Sequence, residues 1–408
     1  MKRLGRRTWA GVALGMTAAG AGIAAALGGH RRDRHVGRNL VRDPKGLLDL
    51  PKGYRYHVIE KAGDAMDDGG VVPGHADGMG VLPNPENPAE LVLLRNHELP
   101  YPRGGVTRVV VDAKTWKRVS SNRVLAGTDL NCAGGIFPGV GWVSCEESDR
   151  PGHGYAYLCS ATAKKTTNPK PIVGYGRFRH EAVAYEPSSL TAYLTEDRPN
   201  GCLYRFVPRN LHAPFEGELQ ALAVRGKPEF DTSELLRGAE LPVAWVPVTN
   251  PDQPGFGVLE EARAAGAAVI RRGEGIAHHE GRFLFAATSG GPAELGQIFE
   301  LVPTTDGGVL RVLASSTDKN ALEMPDNLTV APWGDVFIAE DDGNGENFVR
   351  ILRRDGRIEE FALNCASGRE IAGVCFSPDA RALFLNLYAE GITLAVHRDD
   401  HGKWPDAG

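Results

Sequence analysis

Acidic, amide and thiol side chains recur in this chain at the tips of short apolar runs, where a central cavity would gather them. Four copies of one two-run pattern carry them. His180-Glu181 opens the first, and its return run ends at Glu196-Asp197. Glu274-Gly275-Ile276 opens the second, which returns to Thr288. Pro325-Asp326-Asn327 opens the third, which ends at Glu340-Asp341, and Glu370-Ile371 opens the fourth, which ends at Asn386. Two looser copies precede them: Asp77-Gly78-Met79 with Asn96-His97-Glu98, and Asn131-Cys132-Ala133 with Cys145-Glu146-Glu147. One Glu-Asp pair after a strand is ordinarily a solvated turn. Acids at equivalent places in a cyclic repeat converge on one axis, and several carboxylates share a dry space only when cations neutralise them. Oxygen donors favour Ca2+, and a thiolate such as Cys145 adds a preference for a softer metal. The candidate ligands are Cys145, Glu181, Glu274, Asp326, Glu98, Glu147 and Glu196. Arg272, two residues before Glu274, either clamps an anionic substrate or neutralises that acid; Arg272 and Asn131 are the candidate catalytic residues.

The elements that must position these groups follow from the spacing. A period of roughly 45–50 residues made of short apolar runs and Gly/Pro turns is the signature of a β-propeller. The expected fold is all-β: a six-bladed β-propeller with a metal site in the central channel. The content of Gly 51 and Pro 27 suits many tight turns. Asp112-Ala-Lys-Thr-Trp-Lys predicts a hairpin turn after Arg108–Val111. Residues 30–50 read as a charged linker and 51–408 as the propeller. An insertion at about 208–260 breaks the repeat, and Gly257–Ala268 predicts a short helix beside it. His278-His279-Glu280 does not form a chelate, because neighbours on a strand face opposite ways.

Charge and missing motifs exclude other classes. A net charge of −5 without a broad basic excess argues against a nucleic-acid partner. There is no G-x-S-x-G elbow, no phosphate-binding G-x-x-x-x-G-K-[ST] loop and no H-E-x-x-H. Six cysteines without a Cys-x-x-Cys pair read mostly as small core residues. At the N-terminus, Arg6-Arg7 precedes a Gly/Ala-rich apolar run, so 1–29 reads as a Tat-type signal peptide, which would bring the protein to the Tat export machinery and then to the periplasm or the outside. An uncleaved signal would be the one membrane contact, and the mature protein reads as a monomer.

The motifs spread over the chain resemble the PhoX family of alkaline phosphatases. The matching pieces are Arg95-Asn96-His97-Glu98, Asn131-Cys132-Ala133-Gly134-Gly135, Trp142-Val143-Ser144-Cys145-Glu146-Glu147, His180-Glu181-Ala182-Val183-Ala184, Thr195-Glu196-Asp197-Arg198, Arg272-Gly273-Glu274-Gly275, Pro325-Asp326-Asn327 and Glu340-Asp341. The resemblance implies a six-bladed propeller holding Fe3+ and Ca2+ ions and hydrolysing phosphate monoesters, with a small phosphorylated molecule as substrate. It places the iron-binding cysteine on Cys145, ligand glutamates on Glu181 and Glu274, and the phosphate-contacting arginine on Arg272, with Asp326 and Glu98 as further ligands. Two stretches depart from the family pattern: Ile136–Gly141 replaces a Thr-Pro-Trp-Gly-Thr stretch, and Gly273 stands where proline is usual. Two other functions fit the same residues: a Ca2+-dependent propeller lactonase or esterase, and a non-catalytic propeller that binds metal for stability and partners through one face.

Overall fold

The computed structural model describes residues 39–342 and 345–404. Apolar runs of five to eight residues, bounded by Gly, Pro, Asn and Asp turns, become antiparallel strands joined mostly to their neighbours in sequence. The architecture is an all-β propeller. Hydrogen bonding groups the strands into five sheets. Four strands span Ala76 to Thr128, and three span Asn131 to Ser160. A nine-stranded sheet takes in two copies of the sequence repeat, one opening at His180 and the other at Gly273. A six-stranded sheet contains Pro325–Val330, and a four-stranded sheet contains Ile371–Phe376.

The opening strands of the repeats pack side by side. Ala76–Pro83 touches Asn131–Phe137, which touches His180–Tyr185; Gly273–His279, Pro325–Val330 and Ile371–Phe376 follow in order, and the last packs on the first. These inner strands approach closely, which demands small residues. A Cβ on Gly78 would lie 2.4 Å from the Ala133 Cα, and one on Gly275 would lie 2.7 Å from the Leu328 nitrogen. Side chains from the second strands clip neighbouring repeats together. Asn96 Nδ2 donates to the Ala133 carbonyl at 2.6 Å, Thr195 Oγ1 to that of Glu274 at 2.6 Å, Thr288 Oγ1 to that of Pro325 at 2.6 Å, and Asn386 Nδ2 to that of Asp77 at 2.5 Å. The last clip joins the final repeat to the first.

N-terminal strands complete the ring. Tyr54–Lys61 pairs with Ile392–Arg398, and Leu48–Pro51 pairs with Ile358–Asn364. This corrects part of the expected linker at 30–50. Leu40–Val41 and Leu48–Pro51 are strands, because Leu40, Leu48 and Leu50 supply apolar surface that the flanking charges mask in sequence. The expected signal peptide, 1–29, and residues 30–38 lie outside the described residues. The expected insertion at 208–260 contributes two strands to the nine-stranded sheet. Gly217–Val224 pairs with Leu203–Pro208, and Glu240–Val248 bridges it to Gly307–Ser315. A helix follows at Gly257–Ala264, held by the buried Val258, Leu259 and Ala262.

Candidate metal centre

One backbone device, repeated, builds the centre. In five inner strands the first residue pairs with the tip of its neighbour: Ala76 with His97, Asn131 with Glu146, His180 with Glu196, Gly273 with Ala287, and Pro325 with Glu340. The next pairs are Met79–Arg95, Gly134–Ser144, Val183–Leu194, Ile276–Phe285 and Leu328–Ile338. Each inner strand therefore carries one residue more than its partner, a β-bulge, and bulges re-aim side chains. The residues at the bulge are Asp77, Cys132, Glu181, Glu274 and Asp326. The sixth strand skips after Ala372 and puts Gly373, with φ of 63°, at this place.

The bulge residues and the acids that follow the strand tips form one cluster. Ligand atoms of Glu98, Cys132 and Glu147 lie within 4.8 Å of one another, as do those of Glu181, Glu274 and Asp326. Asp77 and Glu370 adjoin both groups, and Asp197 and Asp341 adjoin the second. Burial, then mutual repulsion, raises the pKa of Asp77, Glu181, Glu274 and Glu370 well above the usual carboxylate range; Asp326 is pushed up to about 7. Burial and the surrounding acids likewise raise the Cys132 thiol. The buried Asp77 Oδ2 and Glu181 Oε2 have no hydrogen-bond partner among the described residues. Unpaired buried carboxylate oxygens beside one thiol are the donor set a bound cation satisfies, and a cation reverses these pKa shifts. The residues therefore fit metal ions.

Counter-charges are placed as specifically. Arg179 pairs with Glu147, and the Tyr388 hydroxyl donates to Glu98. Arg272 donates from Nε and Nη2 to the two Asp197 oxygens at 2.9 and 3.2 Å, and from Nη2 to Glu274 at 2.7 Å. Its Nη1 makes no hydrogen bond among the described residues, so two N–H donors are left. Its backbone holds φ of 53°, a left-handed conformation that costs a non-glycine residue about 1 kcal/mol. The Arg272 amide donates to the Arg198 carbonyl at 2.8 Å, and its own carbonyl accepts from Thr288 at 2.9 Å, which pins that conformation.

Comparison with known proteins identifies the family. The family model described as alkaline phosphatase PhoX matches residues 36–105 and 102–391. The chain belongs to the PhoX alkaline phosphatase family. It is thereby an enzyme of the phosphatase class. Among solved structures, PhoX of Pseudomonas fluorescens in complex with vanadate, a transition-state analogue, superposes with a TM-score of 0.73 at 17% identity, covering 89% of this chain and 97% of that one. A Bacteroides thetaiotaomicron protein of unknown function superposes with a TM-score of 0.50 at 13% identity, covering 84% and 76%. No curated relative matches the chain in sequence.

Within this PhoX-family chain, five of the expected ligands meet: Glu98 and Glu147 in one group, and Glu181, Glu274 and Asp326 in the other. Three expected site residues lie elsewhere. Cys145 is fully buried in the apolar core beside Val143, Ala156, Tyr175 and Tyr185, because it sits on the strand face turned away from the channel. Burial, then the charges of Glu181 and Glu146, push its thiol up, and among the described residues it belongs to neither three-residue group. Cys132 supplies the channel thiol. Asn131 is fully buried one residue before the bulge, donating to Ser144 Oγ at 2.8 Å and accepting from Thr128 Oγ1 at 2.5 Å. It fixes the turn and does not reach the channel. Glu196 is buried among the Cys202 amide at 3.1 Å, the Tyr204 hydroxyl at 2.9 Å and Arg198 at 3.2 Å. The sequence did hold the signal for Cys132. Aligned on the small residue after the acid, Cys132-Ala133 matches Glu181-Ala182, Glu274-Gly275 and Asp77-Gly78.

Proposed function

We propose that this protein is an exported, metal-dependent phosphatase that hydrolyses phosphate monoesters in the channel of a six-bladed propeller, using Ca2+ and Fe3+. The blade count takes the nine-stranded sheet as two blades joined through Glu240–Val248. The observation that carries the proposal is the pair of three-residue groups at one channel, one all-carboxylate and one with a thiol, beside an arginine with free donors. Glu181, Glu274 and Asp326 offer only oxygen and would hold the harder ion. Glu98, Glu147 and Cys132 would hold the softer one. Bound ions would polarise the phosphoryl group and neutralise its charge.

The chain's own residues do the rest. Arg272 Nη1 would donate to non-bridging phosphoryl oxygens, and its salt bridges to Asp197 and Glu274 keep the guanidinium oriented for that task. Tyr388 holds Glu98, and Arg179 holds Glu147. Small phosphorylated molecules are the substrates this channel suits. Export rests on Arg6-Arg7 and the apolar run after it, which would engage the Tat machinery and place the enzyme in the periplasm or outside the cell.

Elemental analysis of natively exported protein, with p-nitrophenyl phosphate turnover on the same sample before and after EDTA, tests the proposal. Iron and calcium with EDTA-sensitive turnover is the expected result. Protein free of metal, or turnover indifferent to EDTA, would overturn it.

A further inference from the structure

A second cleft lies away from the channel, built from two features that the phosphatase reading leaves unused: the segment at 208–260 and the His278-His279-Glu280 triplet. Its volume is about 460 Å³. Glu274 and His279 lie on one strand, five residues apart, so the cleft begins about 16 Å from the channel acids. Leu284, Val312, Val330, Val336 and Leu352 give it an apolar floor between two adjoining repeats. Arg237, Arg282, Arg311, Arg354 and His279 stand around that floor.

Two of these arginines are already neutralised. Arg282 and Arg311 share Glu300 at 3.0 and 3.1 Å, and Arg311 also meets Glu240 at 2.8 Å. The other two are not. Arg237 donates only to the Asp355 carbonyl, at 2.9 Å, and the Arg354 side chain has no hydrogen-bond or ion-pair partner among the described residues. Arg354 and His279 lie side by side over the Gly334 turn, where a Cβ would come within 3.4 Å of Arg354 Cδ and 3.7 Å of His279 Nε2. Exposed arginines without an ion pair among the described residues, beside a concave apolar floor, suit a ligand with an anionic head and an apolar body.

We propose that this cleft is a second binding site, for small amphiphilic organic anions whose phosphate, phosphonate or carboxylate head meets Arg237 and Arg354 while the apolar part lies on Leu284, Val330 and Val336. The site is independent of the channel and of the reaction proposed there.

The probe is hexylphosphonate, which has the head and the tail but no ester to cleave. It is titrated calorimetrically into the full chain and into the double variant R237Q/R354Q. Both arginines are exposed, so the variant keeps the fold and the wild-type turnover of p-nitrophenyl phosphate. The expected result is a binding component that the double variant weakens at least tenfold. Methylphosphonate should bind that component at least tenfold more weakly than hexylphosphonate, and octanoate should compete for it. Binding of hexylphosphonate that is unchanged in R237Q/R354Q would overturn the site. Equal binding of methylphosphonate would overturn the role of the apolar floor. Neither outcome bears on channel turnover, which is read separately.

Discussion

Three strands of this propeller end in two consecutive acids, and the two acids of each pair meet opposite fates. The first acid is buried and accepts hydrogen bonds from its own blade. Glu146 accepts from the Asp129 and Gly154 amides at 2.8 Å each, Glu196 accepts from the Cys202 amide and Tyr204, and Glu340 accepts from the Glu323 and Phe348 amides at 3.0 and 3.1 Å and from Arg350 at 2.9 Å. The second acid, Glu147, Asp197 or Asp341, turns into the channel among like charges and meets an arginine at best. One peptide step separates a loop-closing acceptor from a member of the channel's acidic cluster. Residue type and burial therefore do not tell the two apart here; what does is whether the carboxylate faces backbone amides, hydroxyls and an arginine of its own blade or the acids of the other blades.

The contrast can be broken most forcefully at Glu340. E340A removes the buried partner of Arg350, leaving it among the described residues only the Glu360 ion pair at 3.3 Å, and should cost about 3–5 kcal/mol in urea denaturation, with metal content per folded molecule intact. D341N should change the stability of metal-free protein by less than about 1 kcal/mol while lowering turnover. Equal destabilisation by the two would erase the distinction. The cysteines sharpen it next. C132S should lower metal affinity and turnover by about 10–100-fold, a scale typical of ligand-sphere damage, with one metal lost on elemental analysis. C145S should keep the metals and lose about 1–3 kcal/mol of stability, because its hydroxyl would be buried without a partner.

A smaller effect follows from the channel carboxyls. Asp326 rises from 3.8 to about 7 in the folded protein, and Glu181 and Glu274 also rise. An acid whose folded pKa lies above its unfolded value stabilises fully below the unfolded value. That contribution fades as pH climbs through the folded one. EDTA-treated protein should accordingly melt a few degrees lower at about pH 8 than at about pH 5, and added calcium should remove the loss. A melting temperature that rises with pH in EDTA would show that the acids do not repel one another. The smallest effect belongs to Y388F. It removes one O–H donor to Glu98, worth about 0.5–1.5 kcal/mol, and should slow turnover about three- to tenfold without altering the fold by circular dichroism.

Much of this was legible beforehand. The period of the repeat, the turn residues and the recurring acids pointed to a propeller with converging carboxylates, and Glu181, Glu274, Asp326, Glu98 and Glu147 do converge. Cys145 misled because Cys-Glu-Glu at a strand end looks like the richer donor group. The alternation of the strand buries that thiol, while the bulge after Asn131 exposes Cys132. Glu196 misled for a related reason: a one-residue shift decides which of two adjacent acids faces the channel. Leu40, Leu48 and Leu50 were hidden by the charges around them, because their partner strands lie some 310 residues later or belong to the same short hairpin.

The sequence by itself determined the repeat, the all-β class, the supply of acids and thiols, and the arginine beside Glu274, since these are matters of composition and local period. The tertiary structure decided how those oxygens divide into two groups and which of the two candidate thiols, Cys132 or Cys145, joins one of them. That choice depends on bulges and strand faces, set by pairing between neighbouring strands, and on the closing contact between the last repeat and the first, set by packing between segments hundreds of residues apart.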